Sequence, residues 1–197
     1  MKNKRISCAW YLGGAVLAAV LFALDQWTKR LAVNHLKGQE DIILIPGVLE
    51  LHYLENRGAA FGILQNQQWL FAVLTVVIFA AVIYVMIRMP KTTRFLPAYL
   101  LGCTLIAGAL GNFYDRLVHQ YVVDFIYFCL IDFPIFNVAD IYVTCTLVLF
   151  LLLFFFFYKE EDFRFLKWVC SGYPADVLPS SAGYLTFSGK NRNRSPS

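Results

Sequence analysis

The chain has 197 residues, of which 59% are hydrophobic and 15% are charged, and its formal net charge is +4. A soluble globular domain has about 45–50% apolar and about 25% charged residues. The composition therefore excludes an ordinary soluble domain and indicates a protein that uses a lipid bilayer as its solvent.

Four runs without a charged side chain are long enough to cross a bilayer, which requires about 20 helical residues. Because hydrocarbon cannot satisfy backbone polar groups, each run is predicted to be a helix. The first run follows basic residues, as a signal peptide would, but no small-residue cleavage site closes it, so we expect a retained span. In chain order, the runs cover residues 6–24, 69–87, 95–114 and 141–158.

The basic residues are distributed unequally between the two sides of the predicted bundle. The side with both termini and the 88–94 loop carries twelve of the 17 Lys and Arg residues. The other side carries five Lys and Arg against nine Asp and Glu. The positive-inside rule therefore predicts cytoplasmic termini, with residues 25–68 and 115–140 facing outward.

Two segments outside the predicted spans have recognisable patterns. Residues 48–53 alternate apolar and polar side chains after a Pro46-Gly47 turn, which predicts a strand in a small extracytoplasmic sheet. Residues 159–197 are predicted to form a cytoplasmic tail, first amphipathic and then rich in Ser and Gly and disordered. Cys129 is the one cysteine placed in an outer loop, so no structural disulfide is expected.

Polar and charged side chains gather at the outer ends of the predicted helices. Charged groups at membrane depth are costly, and they indicate functional sites by default. The residues in question are Asp25, Lys29, Asn112, Asp115, Arg116, Asp124, Asn137 and Asp140.

Each of these residues also has a purely structural interpretation. Asn137 and Asp140 have the spacing of a helix N-cap and its third residue, and spacing alone leaves cap and catalyst equally open. Asp25 and Lys29 are better explained as an i, i+4 pair that anchors a helix end. Asp124 lies in an apolar run, a short interfacial segment, and no cap or cationic neighbour explains its desolvation cost.

The absence of other nucleophiles narrows the chemistry on the outer side. No serine occurs between residues 7 and 171, and the three histidines show no zinc-ligand spacing. Two carboxylates remain as the simplest hydrolytic pair, one protonated and the other acting as base. A transporter would place acids within the spans, and a scaffold would have no use for this polar cluster.

Five short stretches occur in order along the predicted topology: Asp25-Gln26-x-x-Lys29, Asn56-Arg57-Gly58-Ala59-Ala60-Phe61-Gly62, Gly108-Ala109-Leu110-Gly111-Asn112-x-x-Asp115-Arg116, Val122-Val123-Asp124-Phe125 and Phe136-Asn137-x-Ala139-Asp140. Together they resemble the bacterial lipoprotein signal peptidase family, also called signal peptidase II. The resemblance covers about residues 8–158, and the longer tail departs from the family pattern.

This resemblance implies a metal-free, cofactor-free aspartic endopeptidase of the bacterial cytoplasmic (inner) membrane. Its fold is expected to be an α-helical membrane protein with four transmembrane helices, in which residues 1–158 form the peptidase domain. The implied partners are diacylated prolipoproteins, cut before the lipidated cysteine, together with membrane lipid and globomycin-type inhibitors, and no nucleic acid. The implied catalytic residues are Asp124 and Asp140, and the implied substrate-binding residues are Asn56, Asn112, Arg116 and Asn137.

Overall fold

The computed structural model describes residues 2–58 and 68–166. Its α-helices are α1 (Lys2–Leu36), α2 (Gln68–Arg88), α3 (Leu96–His119) and α4 (Val138–Leu152), and one π-helical turn, Leu153–Phe157, continues α4. Its strands are β1 (Ile42–Ile45), β2 (Leu49–Asn56) and β3 (Val122–Tyr127). Short 3-10 helices occupy Thr93–Phe95, Cys129–Ile131 and Glu160–Phe165.

The helices have the length and the surface of membrane spans. Cys8–Leu36, Thr93–His119 and Val138–Phe157 are long and apolar enough to cross a bilayer, and the apolar stretch Val73–Arg88 of α2 is shorter. Large apolar side chains along these helices remain on the surface. An apolar surface of this extent requires lipid around it. The predicted helical membrane fold with a small sheet is therefore confirmed.

Helix α1 continues twelve residues beyond the predicted end of its apolar run. Asp25 and Lys29 lie inside this extension and are 0% and 2% exposed. They form the predicted i, i+4 ion pair, at 3.0 Å, but within the helix and not at its end. The helix can continue through these charges because partners on α3 satisfy them, as described below.

Helix α3 is the central helix and packs against the other three. Small residues allow its close approach to α1 and α4. A Cβ atom at Gly108 would lie 2.7 Å from the carbonyl oxygen of Ala139 on α4. A Cβ atom at Gly111 would collide with the carboxylate of Asp25. Both glycines therefore make room for groups near the C-terminal end of α3.

The three strands form one antiparallel sheet in the order β1-β2-β3. The β1–β2 hairpin turns at Gly47, whose φ of 69° lies in the left-handed region that favours glycine. The predicted strand at residues 48–53 is confirmed as β2, which extends to Asn56. The interfacial segment around Asp124 is β3, and it brings Asp124 opposite Leu54. Val123 and Phe125 of β3 pack against the C-terminal end of α1.

The segment after α4 folds back onto the opposite end of the bundle. Asp162 accepts two hydrogen bonds from Arg94, at 2.6 and 2.8 Å, and Phe165 packs edge-on against Phe95. The Arg94 guanidinium lowers the pKa of Asp162 to about 2. The part of the tail predicted to be disordered lies outside the described residues, as do residues 59–62 of the second family stretch.

Candidate active site

A cavity of about 440 Å³ opens beside β3, at the C-terminal end of α3 and the N-terminal end of α4. Its lining is largely apolar and includes a small set of polar groups, as in most ligand sites. The polar lining comprises Asn56, Asn112, Arg116, Asp124, Asp140 and Thr144. The remaining lining is Val122, Phe133, Pro134, Ile135, Phe136, Ile141 and Cys145. Five of the six predicted site residues therefore border one cavity.

Asp124 projects from β3 with its carboxylate almost fully buried, 2% exposed. The side-chain amide of Asn56 donates to its Oδ2 at 2.8 Å, and that of Asn137 donates to its Oδ1 at 2.6 Å. Burial, reinforced by the negative charge of Asp140, raises the pKa of Asp124 to about 7. The two amide hydrogen bonds oppose this rise without cancelling it. Asp124 is therefore a carboxyl group that can hold a proton near neutral pH.

Asp140 is the third residue of α4 and belongs to a complete capping box. Its backbone N–H donates to Oδ1 of Asn137 at 3.1 Å, and the backbone N–H of Asn137 donates to Oδ2 of Asp140 at 3.1 Å. Asn112 also donates to Oδ1 of Asp140, at 2.7 Å. These donors hold both oxygens of the Asp140 side chain in place at the N-terminus of α4. The hydrogen bonds that cap α4 are therefore also the ones that hold the candidate catalytic carboxylate.

Asn137 connects the two aspartates. It is the cap residue of α4 and is 0% exposed. Its side-chain nitrogen donates to Asp124, while its side-chain oxygen and its backbone N–H both bind Asp140. One fully buried residue therefore fixes both carboxylates relative to each other.

The two neighbouring charges on α3 point in different directions, as their adjacency requires. Arg116 lines the cavity and donates to the backbone oxygens of Asn112 and Gly58, at 3.3 and 3.4 Å. Asp115 turns away from the cavity and binds Lys29 of α1 at 2.9 Å. A cation thus lies at the cavity wall, and an ion pair lies behind it.

A buried polar network behind the cavity was not predicted from the sequence. Lys29 binds Asp25 and Asp115, and it also donates to Oδ1 of Asn112 at 3.0 Å. Asp25 in turn accepts a hydrogen bond from the backbone N–H of Ala139, at 3.0 Å. The sequence showed only the i, i+4 spacing of Asp25 and Lys29 on α1. The residues on α3 and α4 that bind this pair are more than 80 positions away along the chain.

The arrangement suits acid–base hydrolysis by two carboxylates. One carboxyl group has a raised pKa, the other is held by donors at a helix N-terminus, and both border the same mostly apolar cavity. Within the described residues, no three His, Cys, Asp or Glu side chains are grouped to hold a metal ion. Two carboxylates placed together in this way are the arrangement found in aspartic peptidases.

Comparison with known proteins identifies the family. The family model for signal peptidase (SPase) II matches residues 17–156. A lipoprotein signal peptidase of Streptococcus pyogenes serotype M1 is 44% identical over 144 residues, which cover 73% of this chain and 91% of that protein. The protein of that name from serotype M5 (strain Manfredo) is 43% identical over the same length. The chain therefore belongs to the signal peptidase II family.

Solved structures support the same fold. A structure described as a bacterial membrane enzyme, determined by the in meso method at 1.9 Å resolution, is 31% identical with a TM-score of 0.63. The match covers 74% of this chain and 94% of that one. A second structure with the same description, at 2.3 Å, is 32% identical and covers 72% and 87% of the two chains, also with a TM-score of 0.63.

Proposed function

We propose that this chain cleaves the signal peptide from prolipoproteins and that Asp124 and Asp140 are its catalytic pair. The observation that carries the proposal is the placement of both carboxylates at one cavity, joined by hydrogen bonds to the same buried Asn137. Membership of the signal peptidase II family supports the reaction. The proposed cut lies just before a cysteine that carries a diacylglyceryl group.

The environments of the two aspartates suggest their roles. Asp124, whose pKa is raised to about 7, is the proposed acid that donates a proton to the scissile carbonyl oxygen. Asp140, stabilised as a carboxylate by its donors, is the proposed base that takes a proton from the attacking water. The resulting tetrahedral intermediate collapses when Asp140 passes the proton it took from water to the leaving amine and Asp124 takes a proton back from a hydroxyl group of the intermediate. The pair ends the cycle with one proton, as it began.

Three of the four other predicted site residues belong to the polar lining of the cavity, and we propose that the substrate lies against them. These three residues are Asn56, Asn112 and Arg116. Their side chains can donate hydrogen bonds to substrate carbonyl oxygens at or beside the scissile bond. Asn137 is fully buried, so we propose that it serves the substrate through the two aspartates that it holds.

The apolar wall provides a place for the lipid-modified end of the substrate. Phe133, Ile135, Phe136 and Ile141 contribute apolar lining to the cavity, beside its polar groups. A diacylglyceryl cysteine presents hydrocarbon next to a peptide bond, which matches a cavity lined by both kinds of group. We propose that globomycin-type inhibitors occupy the same cavity.

We expect a pH profile of kcat/KM that falls on the alkaline side with a midpoint near pH 7. Because the pKa of Asp124 is raised to about 7, the group keeps its proton below that pH and loses it above, which removes the proposed acid. The measurement is cleavage of a diacylglyceryl-modified prolipoprotein peptide in detergent, followed by mass spectrometry between pH 4 and 10. The midpoint belongs to the pair of carboxylates jointly.

The controls are the same peptide with an unmodified cysteine and a thermal unfolding scan at each pH. The modified peptide should be cut before its cysteine and the unmodified one much more slowly. A rate that stays constant or rises between pH 7 and 9, in protein that remains folded, would contradict the assignment of the acid.

We propose that both termini are cytoplasmic and that the cavity faces the outer side of the membrane, because basic residues concentrate at the opposite end. In a cysteine-free background, Asp41→Cys is expected to react with a membrane-impermeant maleimide in intact cells. Lys159→Cys should react only after the cells have been permeabilised. Both positions are exposed in the structure, so accessibility to reagent differs by side and not by burial. The reverse labelling pattern would invert the topology.

A further inference from the structure

Three asparagine amides surround the catalytic pair, and each has two ends of opposite character. The oxygen accepts hydrogen bonds and the nitrogen donates them. A carboxylate accepts hydrogen bonds, so each amide must present its nitrogen to the aspartate it binds. An amide turned the other way would place an oxygen against a carboxylate and repel it. Some other group must therefore fix the orientation of each amide.

Backbone N–H groups fix two of the three. The N–H of Gly58 donates to Oδ1 of Asn56 at 2.9 Å, which leaves the nitrogen of Asn56 for Asp124. The N–H of Asp140 donates to Oδ1 of Asn137 at 3.1 Å, which leaves the nitrogen of Asn137 for Asp124. A backbone N–H has no acceptor character, so neither amide can turn without losing both bonds.

The third amide, Asn112, is fixed by two side-chain donors, one of which is a lysine. Its Oδ1 accepts from the ammonium of Lys29 at 3.0 Å and from the nitrogen of Asn137 at 3.1 Å. Its Nδ2 is thereby directed to Oδ1 of Asp140, at 2.7 Å. A lysine ammonium donates three hydrogens and accepts none, so it has the same polarity as a backbone N–H.

The position of Lys29 is itself determined on all sides. Its three hydrogens match three acceptors: Asp25 at 3.0 Å, Asp115 at 2.9 Å and Asn112 at 3.0 Å. The lysine side chain is 3% exposed, so water does not compete for these bonds. Two carboxylates, one from α1 and one from α3, therefore hold the ammonium against the asparagine.

We propose that Lys29 is a positioning residue for the reaction, acting through Asn112 so that the amide always donates to Asp140. The inference rests on the proposed function, because it assigns the role of Lys29 by way of the catalytic pair. Lys29 touches no aspartate of the pair itself. Its role is to set the direction of the hydrogen bonds in the chain Lys29–Asn112–Asp140 and, through Asn137, at Asp124.

The charge of Lys29 gives a second, independent readout. Its positive charge lowers the pKa of Asp124, against the rise caused by burial and by Asp140. The charged groups around the pair are Lys29 and Asp25 from α1, Asp115 and Arg116 from α3, and the two aspartates themselves. Removing the ammonium should therefore move the alkaline limb of the pH profile to higher pH.

The test is a double-mutant cycle between Lys29→Met and Asn112→Leu, with kcat and KM measured on the diacylglyceryl-modified peptide. We expect each single variant to lose about 100-fold in kcat, with KM changed less than about threefold, by analogy with the loss of one oriented donor. The double variant should be no more than about threefold slower than Asn112→Leu alone. Multiplied losses, near 10⁴-fold, would overturn the proposal, because Lys29 would then act independently of Asn112.

Three further variants separate positioning from a general effect on the fold. Lys29→Arg retains a donor-only cation and should keep at least about a tenth of the wild-type kcat. Lys91→Met, which removes a lysine bound to backbone oxygens at the opposite end of the bundle, should keep full activity. The triple variant Asp25→Asn/Lys29→Met/Asp115→Asn leaves no unpaired charge in the network and should fold. Its kcat should fall by the same factor as that of Lys29→Met. Wild-type activity in a folded variant without the ammonium would overturn the proposal, as would failure of every such variant to fold.

The outcomes also distinguish this inference from the proposed function. If the wild type cleaves and the aspartate variants do not, the catalytic pair stands whatever Lys29 does. If full activity remains in Asp124→Asn and Asp140→Asn, the proposed function fails, and the cycle at Lys29 loses its premise.

Discussion

Asp124→Asn and Asp140→Asn are each expected to lose at least about 10³-fold in kcat while remaining folded. General acid–base catalysis by one positioned group contributes about 10²–10⁴-fold, and the two groups of a pair depend on each other. An asparagine has the shape of the aspartate and keeps one acceptor oxygen for the donors at each position, while its NH₂ group replaces the other oxygen and costs some stability. It cannot transfer a proton, however, so the fold should persist without the chemistry.

The measurement is single-turnover cleavage of the diacylglyceryl-modified peptide, with thermal unfolding in detergent as the test of folding. Asp132→Asn is a matched control, because Asp132 is an exposed acid in the loop before the cavity segment and bonds the hydroxyl of Tyr127. This control should stay within about threefold of wild type. Retention of more than a tenth of the wild-type rate by either pair variant would remove that residue from the catalytic pair.

Asn137→Ala is expected to lose about 10²–10³-fold in kcat and also to destabilise the protein. The substitution removes the amide donor to Asp124 and the donor to Asn112, and loss of one oriented donor at a reacting site costs about that much. It also removes the oxygen that caps α4, which costs about 1 kcal/mol of stability. The two effects have different causes, so a second variant can separate them.

Asn137→Ser is the variant that separates them. Serine is as good a helix cap as asparagine, so the free energy of unfolding should recover most of the loss. Serine is too short to span from the cap to Asp124, so kcat should remain as low as in Asn137→Ala. The comparison is made by kcat on the modified peptide and by chemical unfolding. Recovery of activity along with stability would show that Asn137 acts as a cap alone.

The spans and the location of the site could be predicted because bilayer physics marks them in the sequence. Charge-free runs predicted the helices, and the polar residues at their outer ends predicted the cavity. Spacing also predicted the capping box of Asn137 and Asp140, though it did not distinguish a cap from a catalyst. In the structure the cap holds the carboxylate in place, so the two interpretations describe one set of hydrogen bonds.

What could not be predicted depends on contacts between distant parts of the chain. β1 has four consecutive apolar residues and no alternation, and β3 shows its strand character through pairing with β2. Helix α1 extends past Leu24 because Asp115 and Asn112, on another helix, satisfy Lys29. A single sequence gives the charge of Lys29 but not the partners that make its burial tolerable. The buried network behind the cavity therefore required the structure.

The central claim is that Asp124 and Asp140 act as one catalytic unit, and the double variant Asp124→Asn/Asp140→Asn tests it most directly. The measurement is kcat/KM on the diacylglyceryl-modified peptide for the wild type, both single variants and the double variant. If the pair shares one proton and one reaction step, the double variant should be no slower than either single variant, within about threefold. Losses that multiply from single to double would contradict the claim, because the two carboxylates would then contribute separately.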